Sequence, residues 1–225
     1  MQVPGSGRAG RVTLDDIAQT VQSRMEALQN RVSKAPVSQR ESHWVDPAKF
    51  GPCDEKSLNK IKKSTASAMS RSWERVVHVT QFEKVDITEL EQYRSQHKEA
   101  LKSQSIRLTM LAFIMKALAS ALKKHPATNA SYNEDTAQLW LKQYYHIGVA
   151  VDTPSGLVVP VIRDVDQLSV IEIAVQLGAI SKRARDGALQ PRDLAGASFT
   201  VSSLGGIGGT YFTPIVNSPQ TAILG

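Results

Sequence analysis

The stretch Phe199-Thr-Val-Ser-Ser-Leu-Gly-Gly-Ile-Gly-Gly209 sets two adjacent hydroxyls, Ser202 and Ser203, at the end of a short β-rich run and directly before a glycine cluster. Phe199, Thr200 and Val201 suit a strand, and the glycines let backbone and ligand approach closely where it ends. Both serines are therefore candidate hydrogen-bond donors to a developing oxyanion. The same pattern also suits a strand that simply ends in a loop, and composition alone does not separate these readings. The glycine cluster lacks the Lys-Ser/Thr pair that completes a phosphate-binding loop. No histidine lies downstream of His146, so an oxyanion site is legible here and a general base beside it is not.

Outward from that stretch, 225 residues suffice for one sizeable domain with a hydrophobic core and a short appendage. Apolar residues make up 41% of the chain, but no apolar run approaches the roughly 18 residues of a membrane span, which argues against a membrane protein. The start carries no charged-then-apolar signal segment. Cys53, the single cysteine, has no intramolecular disulfide partner, so a cytoplasmic location is expected. A net charge of +6 raises nucleic acid as a partner. The basic residues are dispersed, however, and the densest cluster, Lys60-Ile-Lys-Lys63, has neither interleaved aromatics nor a zinc-finger or helix-turn-helix pattern beside it. Nucleic acid is not the expected partner, and a phosphate-bearing coenzyme is a better use of the charge.

Along the chain, a helical pattern through Val21 and Met25 to Leu28 follows Gly5, Gly7 and Gly10, which match G-x-G-x-x-G. No strand precedes those glycines, and a dinucleotide fingerprint needs strand, turn and helix in order. Residues 31 to 58, with Pro36, Pro47, Gly51 and Pro52 among charges, lack sustained periodicity and mark a linker. A helix is then expected over Leu58 to Trp73 and a strand over Val76 to Phe82. Asp86-Ile-Thr-Glu89 suits a variant capping box opening a helix to Lys102. The next helix, Thr109 to Lys124, sets Leu111, Ile114, Met115, Leu118 and Leu122 on one face before Pro126 stops it.

The clearest hairpin joins Tyr145–Asp152 to Leu157–Ile162 through a turn at Thr153-Pro-Ser-Gly156. Its almost wholly apolar strands predict burial on both faces, and Pro160 predicts an edge position or a bulge. Ser169-Val-Ile-Glu172 caps a helix ending near Gly187, and Pro191 to Leu194 turns the chain toward the serine strand. Of the five histidines, His43, His78, His97, His125 and His146, none has a second ligand at metal spacing, so no metal site is expected. His78 and His146 fall in expected strands, where a hydrogen-bonded structural role is favoured over catalysis. His43, His97 and His125 read as surface residues.

Several segments together carry a resemblance: Lys60-Ile-Lys-Lys-Ser64, Ser70-Arg-Ser-Trp73, His78-Val-Thr-Gln-Phe82, Asp86-Ile-Thr-Glu-Leu90, Ile147-Gly-Val-Ala-Val-Asp-Thr-Pro-Ser-Gly-Leu-Val-Val-Pro160, Phe199-Thr-Val-Ser-Ser-Leu-Gly205 and Pro214-Ile-Val-Asn217. From about Asp46 to Gly225 the chain resembles the catalytic domain of the dihydrolipoamide acyltransferases, the core subunits of 2-oxo acid dehydrogenase complexes. The wording is most similar to the bacterial acetyltransferases of the pyruvate complex, so acetyl is the acyl group implied. The resemblance implies an α/β, chloramphenicol-acetyltransferase-like two-layer sandwich with a mixed β-sheet, preceded by a partial small helical domain and a linker. On that pattern residues 1–30 are the C-terminal part of a peripheral-subunit-binding domain, 31–57 a linker and 58–225 the acyltransferase domain. That domain is expected to be incomplete at its C-terminus, because the family's His-x-x-x-Asp-Gly motif lies beyond Gly225.

In the family, that histidine deprotonates the thiol of coenzyme A, and the thiolate attacks an acetyl thioester on dihydrolipoamide, whose lipoyl group is carried on a domain absent from this chain. By motif position Ser202 matches the oxyanion donor and Ser203 lies nearer the coenzyme. Arg94, Thr109, Asp152, Ser181 and Lys182 match coenzyme contacts, with Arg94 and Lys182 facing phosphate. The implied partners are copies of the chain, as trimers building a 24- or 60-subunit core, and the dehydrogenase and dihydrolipoamide dehydrogenase subunits. The alternative is a non-catalytic assembly or coenzyme-binding fragment of the same fold.

Overall fold

Thr153-Pro-Ser-Gly156 turns as its residues dictate. Gly156, at φ +127°, donates its N–H to the Thr153 carbonyl at 2.9 Å, and the Thr153 hydroxyl donates back to the Gly156 carbonyl at 2.6 Å. This hairpin lies in a computed structural model that describes residues 6–7, 11–33, 44–205 and 208–225. The chain divides into two compact units, Met1–Glu55 and Lys56–Gly225. His43, Pro36, Gly5, Gly10 and the centre of the 205–209 glycine cluster lie outside the described residues.

In the first unit, α1 (Leu14–Ser33) starts where Thr13 and Asp16 cap one another. The Thr13 hydroxyl accepts the Asp16 N–H at 3.3 Å, and the Asp16 carboxylate accepts the Thr13 N–H at 2.8 Å. The same carboxylate accepts the Ser6 N–H at 2.9 Å. The Ser6 and Thr13 amides together hold it far below the ordinary carboxylate range. The helix continues to Ser33, beyond the position where a linker was expected. Asp46 then caps a 3-10 turn at Pro47–Lys49 by accepting the Ala48 N–H.

The second unit contains α2 (Lys60–Arg75), α3 (Thr88–Lys102), α4 (Met110–Lys124), β1 (Ala130–Asn133), β2 (Gln138–Leu141), β3 (Ile147–Val149), β4 (Val161–Ile162), α5 (Val170–Arg185), β5 (Phe199–Val201) and β6 (Ile223–Leu224). The main sheet runs β4-β3-β5-β6, and β1 and β2 form a separate hairpin. β3 pairs antiparallel with β4 and parallel with β5, and β5 pairs parallel with β6, which makes the sheet mixed as expected. β4 is an edge strand, where the N–H that Pro160 lacks is not needed, while the Pro160 carbonyl accepts from Val149 at 2.8 Å. The core joins Met115 and Ala119 of α4 to Ile173 and Leu177 of α5 and to Ile147 and Val201 of the sheet. Ser169 and Glu172 form the expected capping box of α5.

Three expectations are corrected. Val76–Phe82 is not a strand: Val77 and Val79 are 94% and 93% exposed, and the segment joins no ladder among the described residues. Its β-branched composition describes fitness for a pleated, half-buried surface, and here no strand supplies that surface. α3 opens without a reciprocal box. The Asp86 carboxylate instead accepts both the N–H and the hydroxyl of Thr88, at 2.9 and 2.6 Å. On α4 the buried stripe is Ala112, Met115, Ala119 and Leu122, whereas Ile114 is 38% exposed. The small alanines at this stripe let α5 approach, and Leu111 and Leu118 pack on its flank.

Gly148, at the centre of the sheet, gives the sharpest stability prediction. A Cβ there would stand 2.9 Å from a Val159 methyl, 3.2 Å from the Thr200 hydroxyl and 3.3 Å from the Ala197 methyl. Gly148→Ala is expected to cost about 1–3 kcal/mol by overpacking, read as a fall in Tm of roughly 3–10 °C. An unchanged Tm would show that the strands relax around the added methyl.

Candidate functional site

β5 is buried along its length and delivers Ser202 to the sheet's end. The Ser202 N–H donates to the Leu224 carbonyl at 2.8 Å, which fixes its backbone against β6. Two residues earlier, the buried Thr200 hydroxyl donates to the Gln220 side-chain carbonyl at 2.7 Å. The Ser202 hydroxyl itself has no hydrogen-bond partner among the described residues, and Ser202 lines a cavity of 730 Å³. Ile61 and Met69 of α2, Leu157 of the hairpin and Ile215 form apolar parts of its wall, and Arg185 is the one charged residue among its described lining. A largely apolar cleft with a few placed polar groups suits a small organic ligand rather than a polyanion.

The wall formed by residues 214–217 is held from a distance. The Val216 N–H donates to His78 Nε2 at 3.0 Å, and His78 Nδ1 lies 2.9 Å from the Val76 carbonyl. An amide can only donate and a carbonyl can only accept, so His78 is the neutral imidazole carrying its proton on Nδ1. Trp73 stacks on its ring with centroids 5.1 Å apart. His146 accepts the Asp164 N–H at 3.1 Å, His97 contacts Tyr93 on α3, and His125 ends α4. His78 and His146 are thus hydrogen-bonded as expected, although neither lies in a strand. No histidine is among the described residues that line the Ser202 cavity.

A second groove of 580 Å³ runs between α3 and the start of α4. Arg94, Lys98, Lys102, Arg107 and Thr109 line it together with Glu91. Arg94 Nε donates to Glu91 at 2.7 Å, its Nη2 makes a further short bond to the same carboxylate, and its Nη1 donates to the Leu108 carbonyl at 3.2 Å. The bonds between Arg94 and Glu91 push the guanidinium up and hold the Glu91 carboxyl below its ordinary range. Thr109 precedes α4 without a side-chain cap.

Of the residues singled out from sequence, the structure brings Arg94 and Thr109 into one groove and Ser202 into another cavity. Asp152 is exposed at the hairpin, Ser181 is half-buried and Lys182 exposed on α5. Ser203 is exposed, and its hydroxyl accepts the Gly205 N–H at 3.3 Å. These four line neither space. Sequence reasoning missed the His78 clamp, the inward Asn217 and Lys142. The Lys142 ammonium donates to the Ala130 and Ser198 carbonyls at 2.9 and 3.1 Å, and burial pushes its pKa down. Among the described residues no metal-capable cluster of three or more acidic, histidine or cysteine side chains occurs, and no helix is long and apolar enough to cross a membrane.

Comparison with known proteins follows the same outline. The chain is 43% identical over 236 residues to the dihydrolipoyllysine-residue acetyltransferase component of pyruvate dehydrogenase complex from Cupriavidus necator, which covers 100% of this chain and 42% of that protein. The chain therefore spans less than half the length of that relative. Among solved structures it is similar to dihydrolipoamide acetyltransferase of Azotobacter vinelandii, where the catalytic roles of a serine, a histidine and an asparagine have been investigated. There the identity is 46% and the TM-score 0.78, covering 80% of this chain and 74% of that one. The cubic core of the pyruvate dehydrogenase multienzyme complex gives 47% and 0.78 over the same shares. The backbone is thus that of an acyltransferase core, as the resemblance implied. Residues 51–225 match the 2-oxoacid dehydrogenases acyltransferase (catalytic domain) family, and over that mixed sheet and its helices the chain belongs to it.

Proposed function

We propose that this chain is the core subunit of a pyruvate dehydrogenase complex and moves an acetyl group between dihydrolipoamide and coenzyme A. The observation that carries this reading is the Ser202 hydroxyl, which has no hydrogen-bond partner among the described residues and lines an apolar cavity at the end of a buried strand. Transfer forms a bond from the coenzyme sulfur to the acetyl carbonyl carbon and breaks the bond from that carbon to the dihydrolipoamide sulfur. The proton leaves the coenzyme thiol and ends on the departing thiol. Between these events the carbonyl oxygen carries negative charge, and the Ser202 hydroxyl is the donor for it, a role worth on the order of 3 kcal/mol in comparable sites. The base proposed for this proton is the histidine of the family's His-x-x-x-Asp-Gly motif, which does not occur within residues 1–225, and no described histidine lines the cavity. That observation also favours a second reading, a non-catalytic assembly or coenzyme-binding unit of the same fold.

The groove at Arg94 and Thr109 suits the coenzyme's phosphates, because four cationic side chains converge on it. Arg94 is partly engaged by Glu91, so Lys98, Lys102 and Arg107 share that task. Asp152, Ser181, Lys182 and Ser203 remain proposed coenzyme contacts. Assembly into trimers and a 24- or 60-subunit core, docking of the dehydrogenase and dihydrolipoamide dehydrogenase subunits, and a cytoplasmic setting complete the proposal. Isothermal titration tests the coenzyme site. Arg94→Ala and Lys182→Ala are each expected to weaken coenzyme A binding by about five- to tenfold and to leave dihydrolipoamide binding unchanged. Equal weakening of both ligands would mean a damaged fold rather than a lost contact.

A further inference from the structure

Asn217 is fixed on three sides and left free on the fourth. The amide before it, Val216 N–H, donates to His78 Nε2 at 3.0 Å. The amide after it, Ser218 N–H, donates to the Ser72 hydroxyl at 3.2 Å. Its own carbonyl accepts the Gln220 N–H at 3.0 Å. Gln220 in turn accepts from Thr200, two residues before Ser202, so a continuous chain of hydrogen bonds sets Asn217 relative to Ser202. Both residues line the same cavity. The Asn217 carboxamide is half-buried and has no hydrogen-bond partner among the described residues. A carboxamide that meets a ligand amide has its donor and its acceptor both matched.

We infer that Asn217 is the polar contact for the acyl donor, recognising the amide group at the far end of a thiol-bearing, otherwise apolar arm. This rests on the acyl-transfer reading of the Ser202 cavity. The coenzyme's phosphates are not the match, since Arg185 is the single charged residue among the described lining, whereas the Arg94 groove carries four cations. His78 and Ser72 act through Asn217 as positioning residues, because each holds a neighbouring backbone amide and neither lines the cavity. Fixing the backbone on both sides sets the position in the cavity wall from which the carboxamide reaches a ligand.

The test uses the full-length, assembled enzyme and two soluble donors, acetyl-dihydrolipoamide and acetyl-dihydrolipoate, which carries a carboxylate in place of the amide. Wild type is expected to prefer the amide. Asn217→Leu should raise KM for acetyl-dihydrolipoamide about tenfold with kcat within about threefold, leave KM for coenzyme A unchanged and collapse the preference for amide over acid. Where the leucine variant fails to assemble, Asn217→Ser carries the same comparison. His78→Phe keeps a ring against Trp73 but leaves the Val216 amide unpaired. It should reproduce part of the KM rise, add little on top of Asn217→Leu, and be rescued by His78→Gln, whose side-chain oxygen can accept that amide. An amide preference that survives in both Asn217 variants overturns the inference. A fall in kcat with unchanged KM also overturns it. Ser202→Ala separates the two levels of the account: if it leaves turnover intact, the acyl-transfer reading itself fails, and if it abolishes turnover while the Asn217 variants behave as wild type, only this inference does.

Discussion

Replacing Ser202 by alanine in the assembled enzyme is expected to lower kcat by roughly 10²- to 10³-fold with KM for both substrates nearly unchanged. The magnitude follows from where the hydroxyl stands. Its backbone is held by the bond from its N–H to Leu224, which alanine keeps, and the hydroxyl makes no bond within the described residues that alanine would break. The substitution therefore removes little from the folded state. In the proposed reaction what it removes is a donor to the oxyanion, and an interaction made only in the transition state appears in kcat. Ser203→Ala should do much less, because Ser203 is exposed and its hydroxyl accepts from Gly205. The reverse order of effects would assign the oxyanion to the wrong serine.

The turns and caps read correctly from sequence are those whose partners lie nearby in the chain. The turn at Thr153–Gly156 and the Ser169–Glu172 box each carry their cause within a few residues, whereas the Phe199–Val201 strand was read from its β-rich composition and pairs with β3 and β6 far from it in sequence. Failures come where a distant partner decides. Val76–Phe82 has strand composition and no strand beside it, and composition cannot report that. On α4 the choice between an Ile114 face and an Ala112–Met115 face was settled by α5, some sixty residues away in sequence, because two alanines permit close packing that a row of large side chains does not.

The site divides in the same way. Ser202 was legible from its own segment. Arg94 was singled out without its engagement by Glu91, although that pair, three residues apart on one helix, is the kind of local contact a sequence does show. The wall of the cavity was not legible. His78 reaches Val216 across 138 residues and Ser72 reaches Ser218 across 146. Each of these is a single hydrogen bond to a backbone amide, which leaves no periodicity or spacing to read. Asn217 gains its meaning only once those two bonds are seen to bracket it.

The proton transfer bears the largest expected effect of all. In the proposed reaction the coenzyme A thiol must lose its proton, and the cavity beside Ser202 offers no described histidine to take it. A polypeptide of residues 1–225 alone is thus expected to bind substrates without turning them over, and to gain activity when a segment carrying the family's His-x-x-x-Asp-Gly motif is fused after Gly225. The most direct measurement is the initial rate of acetyl-coenzyme A formation from acetyl-dihydrolipoamide, compared between the 225-residue polypeptide, the fusion and the fusion carrying Ser202→Ala. Expected are no rate above the uncatalysed reaction for the first, a rate within about tenfold of an intact relative for the second, and a loss of roughly 10²-fold or more for the third. Turnover by the 225-residue polypeptide at the rate of the fusion would contradict the missing-base account, and a fusion that stays inactive would favour the non-catalytic reading of the fold.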